Sequence, residues 1–131
     1  MSDSELDKIL AEKSRRLVME HSQKGPIAEL TTANFEKTVG GSKLTFVDFW
    51  AVWCGPCKAM EPVVERLAGK LGGSVNFGKL NVDEQSSIAT QYEIQSIPTF
   101  MMFKNGRPVD QIIGTMQEAA LEQRIRKAAN V

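Results

Sequence analysis

The chain has 131 residues, of which 42% are hydrophobic and 24% charged, so it is long enough for one domain with its own core. These proportions exclude collagen-like, low-complexity and wholly disordered chains. Sixteen Lys and Arg balance sixteen Asp and Glu. Because the formal net charge is zero, the chain has no general attraction to nucleic acid or to an anionic membrane, and we expect it to bind neither.

The first 25 residues carry many charges of both signs and no continuous apolar stretch. A secretion signal needs such a stretch and a mitochondrial presequence avoids acids, so we expect a cytoplasmic protein. Apolar residues nevertheless recur at roughly helical spacing, at Leu6, Ile9, Leu10, Leu17 and Val18. This spacing predicts an N-terminal helical extension over residues 1–26, ended by Gly25 and Pro26, and a main domain over residues 27–131. The extension is either a solvated tail or a helix that docks on a partner or on the domain.

The first elements of the main domain are a short helix and a strand. Thr31 or Thr32 can cap the helix, which ends at Gly40 and Gly41. Residues 44–51 are almost continuously apolar and rich in β-branched and aromatic side chains. Such a run is typical of a strand that is covered on both faces, at the centre of a parallel sheet.

A helix is predicted to follow this strand. It has one apolar face, which ends before Gly72 and Gly73 and consists of Met60, Val63, Val64, Leu67 and Leu71. Pro62 lies inside the pattern, and we expect it to kink the helix.

The rest of the chain alternates strands with helices. The predicted elements are a strand at 75–82, a short helix at 86–92, a strand at 99–103 and a strand at 109–113. Asn105 and Gly106 favour a tight antiparallel hairpin between the last two strands. Thr115 and Glu118 have the spacing of a capping box before a closing helix. This order of elements predicts a layered α/β fold with a mixed sheet.

The two cysteines, Cys54 and Cys57, lie between the predicted central strand and the helix that follows it. Sites form at this edge of open α/β sheets, and the N-terminus of a helix stabilises a thiolate. The three-residue spacing places both sulphurs on one side of a turn, and Pro56 loses no helical hydrogen bond there. We therefore expect an exposed Cys54 that ionises more readily than a free thiol, with Cys57 as the resolving thiol one turn deeper.

This arrangement is suited to disulfide exchange without a cofactor. The Cys54 thiolate attacks a substrate disulfide, and Cys57 then releases the reduced substrate by closing the Cys54–Cys57 bond. Two alternatives remain open from the residues alone. In the first alternative, the pair is half of a zinc site, but the other ligands are missing because the single histidine, His21, lies in the extension. In the second alternative, the cysteines are buried and inert.

Four segments of the sequence resemble the thioredoxin family, in the same order along the chain: residues 46–58, 79–83, 97–100 and 103–106. The resemblance runs from about residue 27 to residue 130. It implies a three-layer thioredoxin-like α/β fold, in which a central mixed sheet is flanked by helices and the N-terminal extension is additional. Val52 stands where some members carry an acid, and we expect little effect from this difference.

The resemblance also implies roles for the residues of the site. Cys54 is the nucleophile and Cys57 the resolving thiol, whereas Asp48 is a buried acid beneath the pair and Lys79 its companion. Burial raises the pKa of a carboxyl group, which suits Asp48 to take a proton from Cys57. Without the resemblance, Asp48 and Lys79 have the simpler interpretation of strand side chains that face solvent.

A substrate-binding surface around the cysteines is implied in the same way. The family places a cis bond between Ile97 and Pro98, although most X-Pro bonds are trans. The backbone of Ile97 can then pair with an extended substrate segment. The surrounding surface consists of Trp53, Gly55, Pro56, Ile97 and Gly114. Gly114 either lets a partner approach or only satisfies the backbone geometry.

The Gly-Pro dipeptide between the cysteines resembles the reducing members of the family, so we expect reduction of protein disulfides. The resemblance implies recycling by a flavoprotein thioredoxin reductase that uses NADPH, and substrates such as peroxiredoxins, methionine sulfoxide reductases or ribonucleotide reductase. We expect a monomer. Two rivals are a glutathione-coupled, glutaredoxin-like enzyme and a binding module that holds a partner with little redox turnover.

Overall fold

A computed structural model describes residues 26–131 of the chain, and the predicted N-terminal helix lies outside these residues. The elements in chain order are β1 (Ala28–Glu29), α1 (Phe35–Val39), β2 (Thr45–Trp50), α2 (Gly55–Leu71), β3 (Asn76–Asn81), α3 (Ser86–Gln91), β4 (Thr99–Lys104), β5 (Arg107–Ile113) and α4 (Glu118–Ala129). None of these helices is long and apolar enough to cross a membrane.

The five strands form one mixed sheet in the order β1-β3-β2-β4-β5. Strands β1, β3 and β2 are parallel, whereas β4 runs antiparallel to both β2 and β5. The apolar run of residues 44–51 therefore forms the central strand, as predicted, and five of the six residues of β2 are buried.

Helices cover both faces of the sheet, which gives three layers. Helices α2 and α4 pack on one face, where the largest buried side chains include Phe46, Phe77, Phe100, Leu67, Leu121 and Ile125. Helices α1 and α3 pack on the other face with Phe35, Val39, Val47, Phe49, Leu80, Ile88 and Phe103. Because β2 contributes to both cores, its sequence is apolar at consecutive positions rather than at alternate ones.

The predicted cap of the first helix is wrong. The N-cap of α1 is Asn34, and the hydroxyl group of Thr31 instead accepts a hydrogen bond from the N–H of Ala33. The side chain of Asn34 accepts from the N–H of Thr31 at 2.7 Å. These local bonds form a turn before the helix, so the helix begins later than Thr31 and Thr32 indicate.

The predicted capping box of the last helix is also wrong. The N-cap of α4 is Gln117, which makes no side-chain capping bond, and Glu118 is the first helical residue. The carboxylate of Glu118 accepts hydrogen bonds from Nε and Nη2 of Arg66 on α2, at 2.8 and 2.6 Å. Arg66 therefore pairs with the carboxylate that a capping box would use to bond the backbone at the start of the helix.

The hairpin prediction is confirmed. Asn105 and Gly106 both have positive φ, at 54° and 77°, as a tight two-residue turn requires. Strand β5 begins at Arg107, two residues earlier than predicted, and a register shift lies between Met102 and Phe103.

Candidate active site

The site lies where β2 ends and α2 begins. Cys54 is the N-cap of α2 and has an extended backbone, with φ −88° and ψ 108°. Its N–H donates to the carbonyl of Ala51 at 3.2 Å. Gly55 and Pro56 form the start of the helix, where the missing N–H of proline removes no helical hydrogen bond.

The two cysteines form a disulfide bond, with their Cα atoms 5.3 Å apart. This separation lies within the usual range for disulfides. The Sγ atom of Cys54 also accepts a hydrogen bond from the N–H of Cys57 at 3.2 Å. A sulphur at the N-cap therefore lies against a free amide of the first turn, the position at which a helix stabilises negative charge.

The prediction of an exposed Cys54 is wrong for this disulfide form. The residue is 4% exposed and Cys57 is 3% exposed. Both sulphur-bearing residues pack in a small cluster with Ala51, and Ile97 and Val82 lie against it. The surface over the disulfide is accessible at the neighbouring residues, since Trp53 is 70% exposed.

A second loop lies beside the disulfide. The peptide bond between Ile97 and Pro98 is cis, as the resemblance implies. The carbonyl of Pro98 accepts a hydrogen bond from the N–H of Gly114 at 2.8 Å, which ties the end of β5 to this loop. Gly114 has a φ of 92°, a conformation that disfavours any side chain, and the space around its Cα is open. The backbone geometry therefore accounts for glycine here, and the same absence of a side chain leaves room over the loop.

Asp48 lies within the sheet below the cysteines. It is 6% exposed, and its Cα is in register with Lys79 on β3 and with Phe100 on β4. The pKa of Asp48 is raised from 3.8 to about 7: burial raises it most, the charge of Glu61 also raises it, and Lys79 lowers it. Within the described residues, no hydrogen-bond donor reaches its Oδ1 atom. The carboxyl group is therefore still partly protonated near neutral pH.

A small cavity of about 20 Å³ lies between Asp48 and Cys57. Its lining residues are Asp48, Trp50, Cys57, Lys58, Glu61 and Lys79. The ammonium group of Lys79 lies over the ring of Trp50, 5.2 Å from the ring centroid. The cavity thus joins the buried carboxyl group to the deeper cysteine of the pair.

Two features of the site were not predicted from the sequence. The indole Nε1 of Trp53 donates to the carboxylate of Asp83 at 2.8 Å, although the residues are thirty positions apart. Glu61 lines the cavity of Asp48. The sequence holds a signal for Glu61, because it lies four residues after Cys57 and so shares its helix face. No local pattern pairs Trp53 with Asp83.

Comparison with known proteins decides the family. The sequence pattern of the thioredoxin family matches residues 26–127 of the chain. The chain is a member of the thioredoxin family. Among curated thioredoxins, that of Alicyclobacillus acidocaldarius is 48% identical over 96 residues, which cover 73% of this chain and 91% of that protein. The thioredoxin of Staphylococcus saprophyticus is 46% identical over 101 residues, which cover 77% of this chain and 96% of that protein.

Solved thioredoxin structures show the same fold. The thioredoxin of Malassezia sympodialis superposes with a TM-score of 0.75 at 38% identity, over 80% of this chain and 92% of that one. The thioredoxin of Trypanosoma brucei brucei also gives a TM-score of 0.75, at 28% identity, over 82% of this chain and 95% of that one. The thioredoxin-like fold predicted from the sequence is therefore confirmed.

Thioredoxins are thiol-disulfide oxidoreductases, and this family member carries the close cysteine pair that the activity uses. The chain is a disulfide reductase whose redox-active group is Cys54–Cys57. The family needs no cofactor for this chemistry. Within residues 26–131, no three His, Cys, Asp or Glu side chains are grouped so that they could hold a metal ion.

Proposed function

We propose that Cys54 is the nucleophile of the disulfide reductase activity and Cys57 its resolving thiol. The observation that supports this assignment most directly is the position of Cys54 at the N-cap of α2, where its sulphur accepts the N–H of Cys57. In the reduced protein, the same N–H and the helix N-terminus stabilise a Cys54 thiolate. Cys57 sits one turn further in and lines the cavity of Asp48.

The proposed cycle balances two electrons and two protons. The Cys54 thiolate attacks one sulphur of the substrate disulfide, and the other substrate sulphur leaves as a thiolate, which takes up a proton. Cys57 loses its proton and attacks the Cys54 sulphur of the mixed disulfide. The second substrate sulphur then leaves as a thiolate and takes up the proton that Cys57 gave up, so the substrate is fully reduced and the Cys54–Cys57 bond is closed.

We assign the proton transfer of the second step to Asp48. Its carboxyl group faces the cavity that Cys57 also lines, and its pKa of about 7 suits a base that works near neutral pH. Lys79 is a positioning residue in this proposal. Its charge opposes the effect of burial on Asp48, and its contact with the Trp50 ring holds the ammonium group at the cavity.

The substrate surface surrounds the disulfide. It combines exposed Trp53 with the backbone of the cis-proline loop, and its proposed members are Trp53, Gly55, Pro56, Ile97, Pro98 and Gly114. The hydrogen bond from the indole of Trp53 to Asp83 holds the indole ring in place at this surface. An extended segment of a substrate protein can pair with the backbone of Ile97 while its disulfide approaches Cys54.

The family also indicates the partners. We propose that a flavoprotein thioredoxin reductase returns the Cys54–Cys57 bond to two thiols with electrons from NADPH, and that the substrates are disulfide-containing proteins. We further propose that the protein acts as a monomer in the cytoplasm, without nucleic acid or membrane partners. In this proposal, residues 27–131 are the thioredoxin domain and residues 1–26 an extension of it.

A turnover assay tests the proposed nucleophile. The reduction of a disulfide-linked protein such as insulin is followed with dithiothreitol as the electron source, for the wild type and for Cys54→Ser. We expect the variant to fall to the rate of dithiothreitol alone, because a serine hydroxyl at the N-cap of α2 cannot form the mixed disulfide that begins the cycle. Turnover that survives Cys54→Ser contradicts the assignment. If the wild type and the variant both show only the rate of dithiothreitol alone, the result favours a binding module.

A further inference from the structure

Glu61 is a charged residue at the site for which the reaction described above has no role. It lies on α2 four residues after Cys57, so both side chains project from the same face of the helix. Glu61 is exposed, yet it also lines the cavity that Asp48 and Cys57 line. It is therefore the acidic side chain of that cavity that reaches solvent.

We propose that Glu61 is a positioning residue for the resolving step: its negative charge, at the outer end of the shared cavity, retains a proton on Asp48 and so makes Asp48 a stronger base toward Cys57. This inference rests on the proposed role of Asp48 as proton acceptor. It assigns Glu61 an effect on the reaction through Asp48, without contact between Glu61 and the reacting sulphurs.

The charges around Asp48 come from two of the elements that flank it. Helix α2 presents Glu61 and Lys58 to the cavity, and strand β3 presents Lys79. On its other side, Asp48 is in register with Phe100 of β4, which carries no charge. Burial raises the pKa of Asp48 most, Glu61 raises it next, and Lys79 lowers it. Glu61 and Lys79 therefore act on the same carboxyl group with opposite signs.

The burial of Asp48 makes the charge of Glu61 effective. The Oδ1 atom of Asp48 has no hydrogen-bond donor within residues 26–131, so no direct bond to this oxygen stabilises the ionised form. Charge interactions across a protein cavity are screened less than those between fully solvated groups. A single neighbouring carboxylate can therefore shift the proton equilibrium of Asp48 measurably.

The test measures the ionisation of Asp48 itself, by NMR titration of its carboxyl carbon in the oxidised protein. Three variants of the full chain are compared with the wild type: Glu61→Gln, Glu61→Asp and Glu65→Gln. In Glu61→Gln we expect the midpoint of Asp48 to move to lower pH by roughly half a unit. Glu61→Asp retains the charge and should keep most of the wild-type midpoint. Glu65→Gln removes a carboxylate of the same helix that does not line the cavity, and should leave the midpoint unchanged.

The same proteins are then compared in the resolving step, measured as release of a reduced peptide from its mixed disulfide with Cys54. We expect the midpoint of its pH profile to shift to lower pH in Glu61→Gln by the amount seen in the titration. An Asp48 midpoint that is equal in Glu61→Gln and Glu65→Gln overturns the inference. A profile that stays in place while the Asp48 midpoint moves overturns it too. Asp48→Asn distinguishes a failure of this inference from a failure of the proposed role of Asp48. An unchanged resolving rate in that variant means that the proposed role of Asp48 has failed.

Discussion

The carboxyl group of Asp48 ties the stability of the protein to its reactivity. Its pKa is 3.8 in an unfolded chain and about 7 in the folded protein. Between these two pH values, the unfolded chain gives up the proton while the folded protein still holds it. The free energy of unfolding of the oxidised protein therefore falls as pH rises from about 4 to about 7, and this contribution stays constant above pH 7.

Asp48→Asn should remove this loss of stability. At pH 8 we expect the variant to be more stable than the wild type, by up to roughly 4 kcal/mol, because the amide has no charge to desolvate. At pH 4 the two proteins should agree within about 1 kcal/mol, since Asp48 is then protonated in the folded protein and still partly protonated in the unfolded chain. Urea unfolding of the oxidised proteins at the two pH values measures the difference. If the stability difference between variant and wild type is equal at pH 4 and pH 8, the ionisation of Asp48 is excluded as its source.

The sequence predicts the site at the residue level only in part. The burial of Asp48 follows from its place in an apolar strand, because a central strand is covered on both faces. The burial of Cys54 was missed, since the residues that cover it include Val82 and Ile97 from distant parts of the chain. The bond between Trp53 and Asp83 was missed for the same reason. Contacts between elements depend on the folded topology and leave no local pattern.

At the scale of elements, the close packing of β3 against the segment after β1 depends on Gly78. A Cβ atom at Gly78 would lie 2.7 Å from Cδ1 and 2.8 Å from Cγ of Leu30, closer than atoms can pack. Leu30 is buried, with 1% exposure, in the core under α1 and α3. An alanine at this position must therefore displace the side chain of Leu30.

Gly78→Ala should destabilise the protein by about 1–3 kcal/mol, as overpacked cores usually do. Gly73→Ala is the matched control, because a Cβ at Gly73 meets no atom within 4 Å. Denaturant unfolding of both variants at one pH gives the comparison. Equal stabilities for the two variants contradict the packing described for Gly78.

Hydrophobic periodicity predicts the strands and helices of this chain well, whereas their ends depend on other elements. The central strand and the Asn105-Gly106 hairpin follow from apolar runs and turn residues within a few positions. The start of α4 does not follow from such a local pattern, because Glu118 pairs with Arg66 of α2 in place of a cap. A capping motif in the sequence competes with such tertiary partners.

At the scale of the whole molecule, the sheet topology collects the site at one edge. The parallel strands β2 and β3 end there, followed by Cys54 and Asp83. Strand β4 is antiparallel to β2, so it begins at the same edge, directly after Pro98. Strand β5 ends there before Gly114. Four segments that are far apart in the sequence therefore meet around one disulfide.

The measurement that tests this account most directly is the mass of the intermediate. The reduced Cys57→Ser chain is mixed with a disulfide-linked peptide and then analysed by intact mass and peptide mapping. We expect one peptide per chain, bound to Cys54 and stable until an external thiol is added, whereas the wild type releases the peptide and closes its own disulfide. An adduct that forms as fast on Cys57 of a Cys54→Ser chain, or no adduct on Cys54, contradicts the account.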